Sequence, residues 1–444
     1  MERGMNRVKG PHGPVRRWRS FARPAFGRLL AAALCASAAA ACSSWITPAT
    51  GTEDGGTSPD AGAAAADTGD PFDVPINGVT RDLVTQFNAG DDLFDIPLRE
   101  PDGLGPLYTR TACGACHQDA ARGPGLVQKM TVVLTDGITP APDQTVLAFG
   151  HTVHPLVAAG AKTPIVAPGD PSVKVSIRVG PPVLGRGYME AILDSEIERV
   201  EAEQAARADA IHGRANRVFY ASEANTDTRF HTHQKGDVVI GRFGVKARIA
   251  TLDDFTADAL QGDMGITSPL RPEEIVNPDG LTDDLKPGVD ATMGELNARA
   301  MYMRLIAIPR RKDSGSGAAA FTAAKCGVCH VPSMKTRADY PIGLLANIDA
   351  PVYTDLLLHD MGPGLADGSA DGVDGAAHSR EWRTAPLIGL RFDKAYMHDS
   401  RARTIHDAIL AHDSPGSQAT ESVQLYNALP AADHAALLDF VGSL

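Results

Sequence analysis

Two short cysteine–histidine motifs carry the chemistry of this sequence. They are formed by Cys113, Cys116 and His117, and by Cys326, Cys329 and His330. Two thiols three residues apart suit one helical turn, where each can add to a vinyl group of a haem while the adjacent imidazole reaches the iron. The motifs therefore predict two covalently attached c-type haems, with His117 and His330 as iron ligands.

A C-x-x-C pair is also found in redox-active disulfides and in zinc sites. A thioredoxin-like pair needs no following histidine, and a four-cysteine zinc site places its pairs about 15 to 20 residues apart. Here roughly 200 residues separate the two pairs. Of the six cysteines, Cys35 and Cys42 lie in the N-terminal segment, so the motifs leave none for a structural disulfide. This arrangement favours haem attachment.

The first 41 residues have the pattern of an export signal. Basic residues precede an uncharged, alanine-rich stretch at residues 29–41, which is too short to span a bilayer. Cys42 follows a run of four alanines, a context that resembles the lipobox of bacterial lipoproteins. We predict a signal peptide over residues 1–41 and a periplasmic lipoprotein anchored to the membrane only through Cys42. The alternative is plain cleavage, which would release a soluble periplasmic protein.

The charge of the chain after removal of this segment is strongly negative. Residues 1–41 hold eight Lys or Arg and one Asp or Glu, so their removal would change the formal net charge from −12 to −19. An acidic protein repels nucleic acid and attracts basic partners. We therefore expect no nucleic-acid partner, and we expect a small electron-donor protein such as a cytochrome.

The elements that must position the motifs are predicted to be mainly helical. Residues 42–75 are rich in Gly, Ala, Thr, Asp and Pro and predict a flexible tether. We predict an N-terminal cytochrome c-like domain with haem 1 over residues 76–290 and a C-terminal one with haem 2 over residues 291–444. The fold class is then mainly α, with two cytochrome c-like haem domains in one chain, short β stretches and long loops. Residue spacing predicts helices at 81–90, 188–211, 294–306, 321–326, 404–412 and 431–443, and strands at 131–134 and 237–240.

A set of longer motifs resembles a known family. The segments are FNAG at 87–90, GLGP at 103–106, GRFGVKA at 241–247, GDMGITS at 262–268, DLLLHDMG at 355–362, EWRTAP at 381–386, YMHDSRAR at 396–403 and AILAH at 408–412. Together they resemble the bacterial di-haem oxidoreductases, a family labelled as peroxidases or thiol oxidoreductases and related to the di-haem cytochrome c peroxidases. The resemblance covers nearly everything from about residue 77 onward. It implies two mostly helical cytochrome c domains that face each other.

The resemblance also implies roles for two further residues. In the related peroxidases the distal ligand of the C-terminal haem lies fourteen residues after a histidine that corresponds to His398. That count leads to His412, so the resemblance implies that His330 and His412 both bind the second iron. Asp263 corresponds to an acid on the distal side of the first haem, which implies that it moves protons during peroxide cleavage. A helix-end aspartate that holds a turn is the alternative reading of Asp263.

The sequence departs from the family pattern at two positions. Val245 stands where a tryptophan is common between the haems, and Phe255 stands where a glutamine is common. An aromatic relay at position 245 is therefore excluded. His359 and His398 are expected to be structural hydrogen-bonding groups near a haem. The sixth ligand of haem 1 stays open between four histidines, of which the first is favoured: His151, His154, His231 and His233.

These expectations combine into one leading function and two alternatives. The leading hypothesis is a peroxidase that takes electrons through haem 2 and reduces hydrogen peroxide at haem 1. The alternatives are an electron-transfer cytochrome with no substrate site and a di-haem enzyme with oxygenase-type chemistry. Bound calcium between the domains is a further expectation from the related peroxidases, although no loop of this sequence identifies a calcium site.

Overall fold

Helices form most of the regular structure around both motifs. The computed structural model describes residues 73–118, 123, 126–282, 286–311 and 315–444. The helices in these ranges are α1 (Arg81–Asp95), α2 (Arg186–Ala191), α3 (Asp194–Ala205), α4 (Leu252–Met264), α5 (Met293–Leu305), α6 (Gly315–Ala323), α7 (Ile405–Leu410), α8 (Thr420–Asn427) and α9 (Ala431–Ser443). Over this part of the chain the prediction of a mainly α fold is confirmed. No helix within it combines the length and the hydropathy needed to span a bilayer.

The strands are short and pair only two at a time in the described ranges. All five pairs are antiparallel. They join β1 (Leu107–Tyr108) to β3 (Leu156–Val157), β2 (Leu126–Val132) to β4 (Val173–Val179), β5 (Asn216–Phe219) to β6 (Val238–Gly241), β7 (Met334–Lys335) to β8 (Asp349–Ala350), and β9 (Leu358–Asp360) to β10 (Glu381–Arg383). An isolated pair of strands is marginally stable in water, so these ladders depend on packing against the helices and loops.

Threonine caps set the start of four helices. The hydroxyl oxygen at each cap accepts a hydrogen bond from the backbone amide three residues later, which satisfies one of the free donors at a helix N-terminus. In α5 the cap is reciprocal, because the carboxylate of Glu295 also accepts from the amide of Thr292 over 2.8 Å. The four caps are Thr80, Thr251, Thr292 and Thr404.

Helices α1 and α5 pack closely beside the first motif. Phe87 and Phe94 on α1 each place a ring centroid 5.0 Å from that of Tyr302 on α5. Gly90 lies at the closest approach, where an added Cβ would come within 2.2 Å of the carbonyl oxygen of Ala298. Helix α5 also packs against α4. Helices α1, α4 and α5 therefore share one core, although the predicted domain division places α5 in the second domain.

The segment predicted as one helix over residues 188–211 contains two shorter helices. The chain leaves helical geometry at Ile192, which forms an isolated β-bridge with Thr336. Arg242 stabilises this break, because its Nη1 group donates to the carbonyl oxygens of Met189, Glu190 and Ile192 at 3.3, 3.2 and 2.7 Å. The prediction was wrong here because a side chain from residue 242 satisfies carbonyls that a continuous helix would have used.

The C-terminal helices surround the second motif. Helix α6 packs on α9, with Gly317 so close that a Cβ would lie 2.2 Å from the carbonyl oxygen of Ala436. Phe321 on α6 makes an edge-to-face contact with Phe440 on α9, at 5.4 Å between centroids. The predicted helix at 321–326 was misplaced: α6 ends at Ala323, and a separate 3-10 turn covers Cys326–Val328.

Several expectations fall outside the described residues. They are the signal peptide at 1–41, the anchor at Cys42 and the tether up to residue 72. All described residues belong to one compact unit, Asp60–Leu444. The division of this unit into two cytochrome c-like domains at residues 290 and 291 stays a prediction.

The close approach of α1 and α5 predicts an effect of substitution at Gly90. We expect Gly90→Ala to lower the free energy of unfolding by about 1–3 kcal/mol, because the added methyl group overlaps backbone atoms of α5. Guanidinium denaturation of the haem-loaded protein measures this change. Gly262→Ala in α4 is the matched control, since open space surrounds that position and alanine favours a helix by about 0.5–1 kcal/mol. Equal stabilities of the two variants would contradict the helix packing described here.

Candidate functional site

The first motif forms a helical turn fixed to the end of α1. The amide of Gly114 donates to the carbonyl oxygen of Phe94 over 3.1 Å. Within the motif, the amide of His117 donates to the carbonyl oxygen of Cys113 over 2.9 Å, the bond of one α-helical turn. Cys113, Cys116 and His117 all line one cavity, which we call the first cavity.

Two helices supply much of the remaining wall of the first cavity. Phe255, Thr256, Ala259 and Asp263 follow one another on α4 at spacings of one, three and four residues. Side chains three or four positions apart lie on the same face of a helix, so α4 turns a single face towards the cavity. Helix α5 adds the i, i+4 pair of Arg299 and Met303.

Asp263 provides the carboxylate of the first cavity, and no other carboxylate lines it among the residues that the structure describes. Its backbone is fixed, because its carbonyl oxygen accepts from the amide and the hydroxyl of Thr109 at 2.7 and 3.0 Å. Burial raises the pKa of Asp263 to about 6; the charge of Lys129 opposes this shift and that of Asp258 adds to it. The side chain therefore changes protonation state close to neutral pH, as an acid/base group requires.

The second motif has the same turn as the first. The amide of His330 donates to the carbonyl oxygen of Cys326 over 2.9 Å, again with a spacing of four residues. Cys326, Cys329 and His330 line a larger, mostly apolar second cavity of about 270 Å³. Helices α7, α8 and α9 form part of its wall with apolar side chains such as Ile409, Val423, Leu437 and Val441.

Four histidines line the second cavity, and two of them, His330 and His412, have similar surroundings. His330 donates from Nδ1 to the carbonyl oxygen of Tyr353 over 3.2 Å, and His412 donates from Nδ1 to that of Ala408 over 2.7 Å. These bonds leave both Nε2 atoms as the basic nitrogens. A metal-binding histidine usually donates its other ring nitrogen to an acceptor of this kind. Burial, with the charge of His412 adding to it, lowers the pKa of His330 to about 4, so this imidazole is neutral at pH 7.

Next to Cys329 lies a cluster that has the composition of a metal site. Ligand atoms of Cys329, Asp355 and His359 lie within 4.8 Å of one another, the one such group among the described residues. The imidazole of His359 already contacts Asp355 through Nε2 at 2.9 Å and Gln418 through Nδ1 at 2.8 Å. Gln204 also donates to Asp355 over 2.8 Å. Both ring nitrogens of His359 thus have hydrogen-bond partners within the protein. This agrees with a structural role for the histidine rather than with a zinc site.

Trp382 lies at the second cavity and was not identified as a site residue from the sequence. His398 stacks on its ring, with 3.6 Å between centroids and 14° between planes, and the Nζ of Lys246 lies 4.0 Å from the same centroid. Val245 packs against this group. The EWRTAP segment was the available signal, but nothing in the sequence indicated that residue 382 lies beside residue 245. Phe255, the other residue that departs from the family pattern, lines the first cavity instead.

The four histidines considered for the sixth position of haem 1 lie elsewhere. His151 donates to the carbonyl oxygen of Met130, and His154 donates to that of Gly262. His231 binds the carboxylate of Asp253 and stacks on His233. His117 is the one histidine among the described residues that line the first cavity. The preference for His151 is therefore not supported by its position in the structure.

The two cavities share part of their walls. Four residues line both of them: Pro181, Pro182, Arg186 and Arg383. Arg186 lies on α2 and Arg383 ends β10, so the shared wall combines elements nearly 200 residues apart in sequence. Sequence reasoning missed all four residues, because no local pattern marks a residue that lies between two distant motifs.

Comparisons with known proteins assign the chain to a family. The family model described as di-haem oxidoreductase, putative peroxidase, matches residues 169–444. The chain belongs to this family. The match includes the second motif and begins after the first. Membership in a di-haem family implies haem iron as a cofactor, and oxidoreductase chemistry as the class of activity.

Two solved structures are similar to the chain at a lower level. A hydrazine synthase from Kuenenia stuttgartiensis is 12% identical; the alignment covers 89% of this chain and 100% of that chain, with a TM-score of 0.33. A variant of the diheme peroxidase BthA from Burkholderia thailandensis is 15% identical and covers 80% of this chain and 78% of that chain, with a TM-score of 0.32. Scores of this size do not establish a common fold. The comparison with curated protein sequences gives no match.

The residues present fit two haems of the c type. Each cavity brings two thiols and the following histidine of one motif together, and the second cavity adds His412. At the first cavity Gly180 leaves room beside the imidazole of His117, where a Cβ would lie only 2.8 Å from Cε1. The first iron would be held by His117, and the second by His330 and His412.

The arrangement of the second cavity predicts the effect of replacing His412. We expect His412→Ala to convert the second haem from low-spin to high-spin iron, because it removes the second imidazole. Low-temperature electron paramagnetic resonance of the oxidised protein measures the spin state directly. His406→Gln on α7 is the matched control, since His406 bonds to the hydroxyl of Tyr426 and does not line the cavity. A low-spin signal that survives in His412→Ala would show that another group binds the iron.

Proposed function

We propose that this protein is an exported di-haem c-type oxidoreductase that reduces hydrogen peroxide at the haem attached to Cys113 and Cys116. One observation carries the proposal: the second cavity holds two histidines with iron-binding tautomers, whereas His117 is the one histidine that lines the first cavity in the described part of the chain. An iron with two imidazole ligands has no free position for peroxide but can transfer electrons. The difference between the cavities therefore supports reaction at the first and electron relay at the second.

The residues of the chain have distinct tasks in this reaction. When bound, the two haems supply the electrons and the iron position at which peroxide is reduced. Asp263 accepts a proton from one peroxide oxygen and returns it to the oxygen that leaves as water. Reduction of one peroxide consumes two electrons and two protons and yields two waters. The shared wall of Pro181, Pro182, Arg186 and Arg383 supports a short route for electrons between the cavities.

The surroundings of the protein are part of the same proposal. A leader at 1–41 and a lipidated Cys42 would place the folded unit in the periplasm at a membrane surface. The mature charge of −19 favours a basic electron donor such as a small cytochrome. The alternatives, an electron-transfer protein without a substrate site and an oxygenase-type di-haem enzyme, predict different behaviour towards peroxide.

The first test of the proposal is peroxide-dependent oxidation of a reduced small cytochrome by the haem-loaded protein. We expect turnover, and we expect carbon monoxide to bind one haem of the fully reduced protein. Carbon monoxide binding without peroxide turnover would favour oxygenase-type chemistry. If neither occurs in oxidised, half-reduced and reduced preparations, the protein is an electron carrier and the peroxidase proposal is wrong.

The position and pKa of Asp263 predict a specific pH dependence. The carboxylate must be ionised to accept a proton, so the rate with peroxide should fall as the pH decreases through about 6. Asp263→Asn should lower the rate by about 10²–10⁴-fold and remove this inflection. Steady-state rates between pH 5 and 8 measure both effects. Asp439→Asn, at an exposed position of α9, is the control and should keep the wild-type profile.

A further inference from the structure

Two buried arginines belong to the wall that separates the haem cavities. Arg186 and Arg383 are 6% and 5% exposed, and each lines both cavities. They come from α2 and from the end of β10, respectively. The other two residues that line both cavities are Pro181 and Pro182, which carry no charge. The two guanidinium groups are therefore the charged groups that the cavities share among the described residues.

The hydrogen bonds of both guanidinium groups go to neutral acceptors. Arg186 donates from Nε to the carbonyl oxygen of Pro182 and from Nη1 to the sulfur of Met189, both over 2.9 Å. Arg383 donates from Nε to the carbonyl oxygen of Gly244 over 2.9 Å and from Nη1 to that of Thr384 over 2.8 Å. No carboxylate of the described ranges forms an ion pair with either group.

Other buried arginines of this chain do have carboxylate partners. Arg178 binds Asp367 and Asp374 at 2.6 and 2.7 Å, and Arg304 binds Glu190 at 2.6 Å. Lys325, which lines the second cavity, is likewise paired with two carboxylates. Arg186 and Arg383 differ in this respect from Arg178 and Arg304. Arg299, which is equally buried, also donates to carbonyl oxygens, but it lines the first cavity and not the second.

Burial of two like charges without an anion is unfavourable. Burial lowers the pKa of Arg186 to about 9, and the charge of Arg383 adds to this shift. Burial lowers the pKa of Arg383 to about 10, although the charge of Asp355 opposes the shift. An arginine stays charged in proteins, and an uncompensated buried charge is strongly unfavourable. A carboxylate between the two cavities would relieve this cost, and a guanidinium can bind it through two parallel hydrogen bonds.

We propose that Arg186 and Arg383 form a carboxylate-binding site between the two cavities, where they bind propionate groups of both haems. The proposal rests on the assignment of one haem to each cavity and does not depend on peroxide as the substrate. A positive charge near a haem stabilises its reduced form, which carries one positive charge less. Each arginine therefore raises the reduction potential of both haems and not only of one.

The test is a redox titration of the haem-loaded protein followed by absorption and electron paramagnetic resonance, which assign a potential to each haem. We expect Arg383→Gln to lower the equilibrium constant for reduction about tenfold at both haems, which corresponds to 59 mV per one-electron step. Arg186→Gln, at the second position of the proposed site, should also affect both. Arg383→Lys keeps the charge and should remain within about threefold of the wild type.

Arg299→Gln is the matched control. Arg299 is also buried and donates to carbonyl oxygens, but it lines the first cavity only, so its replacement should change the potential of the first haem alone. Arg217→Gln removes an equal charge at an exposed position of β5 that lines neither cavity, and it should change neither potential. Mass spectrometry of each variant confirms that two haems are attached before the titration.

The outcomes separate this proposal from its competitors. The proposal is wrong if Arg186→Gln and Arg383→Gln have the same potentials as Arg217→Gln. It is also wrong if their potential shifts are confined to one haem. If a free carboxylate occupied the site instead of propionates, added acetate would shift the wild-type potentials; we expect no such shift. Because peroxide is absent from the titration, a failure of the peroxidase proposal leaves this result unchanged, and the converse also holds.

Discussion

Two neighbouring cavities with a common wall are the constraint on which the rest of this structure depends. Each cavity must present two sulfurs and an imidazole from one helical turn, and both must stay dry enough for buried histidines to remain neutral. The chain meets these demands with Pro181 and Pro182, whose rings have no backbone donor to satisfy, and with two arginines whose hydrogen bonds go largely to backbone carbonyls.

The elements around this wall come from distant parts of the chain. Helix α4 turns one face towards the first cavity, and α5 packs beside it and against α1, which fixes the first motif through Gly114. The β9–β10 ladder contributes to both cavities. Trp382 lines the second cavity, and the next residue, Arg383, lines both. Alternating side chains of a strand point to opposite sides, so one short strand can serve an aromatic contact and a charged one.

The cavities differ in the groups that they place beside the haem sites. Asp263 at the first is a carboxylate whose pKa is raised by burial to about 6. The second is lined by His412 and by apolar side chains of the C-terminal helices. His398 stacks on Trp382, and the ammonium group of Lys246 lies over the same ring. The positive charge of Lys246 would disfavour oxidation of the indole to a radical cation. An aromatic side chain, that of Trp382, therefore lies close to position 245, although residue 245 itself is a valine.

The sequence by itself predicted the two motif turns and much of the helical content, because both depend on residues close together in the chain. Cys113 to His117 and Cys326 to His330 are single turns. Local threonine caps set the starts of α1 and α5, and spacing predicted α9, although α1 continues to Asp95, beyond its predicted end. Tertiary structure decided which histidines approach the first motif, because it keeps His151 and His154 out of the cavity that His117 lines. His412, which the resemblance had placed with His330, does line the second cavity beside it. It also broke the helix predicted over 188–211, since Arg242 binds carbonyls that no local pattern assigns to it. Arg186 and Arg383 became neighbours for the same reason, because contacts between residues far apart in sequence depend on how the whole chain packs.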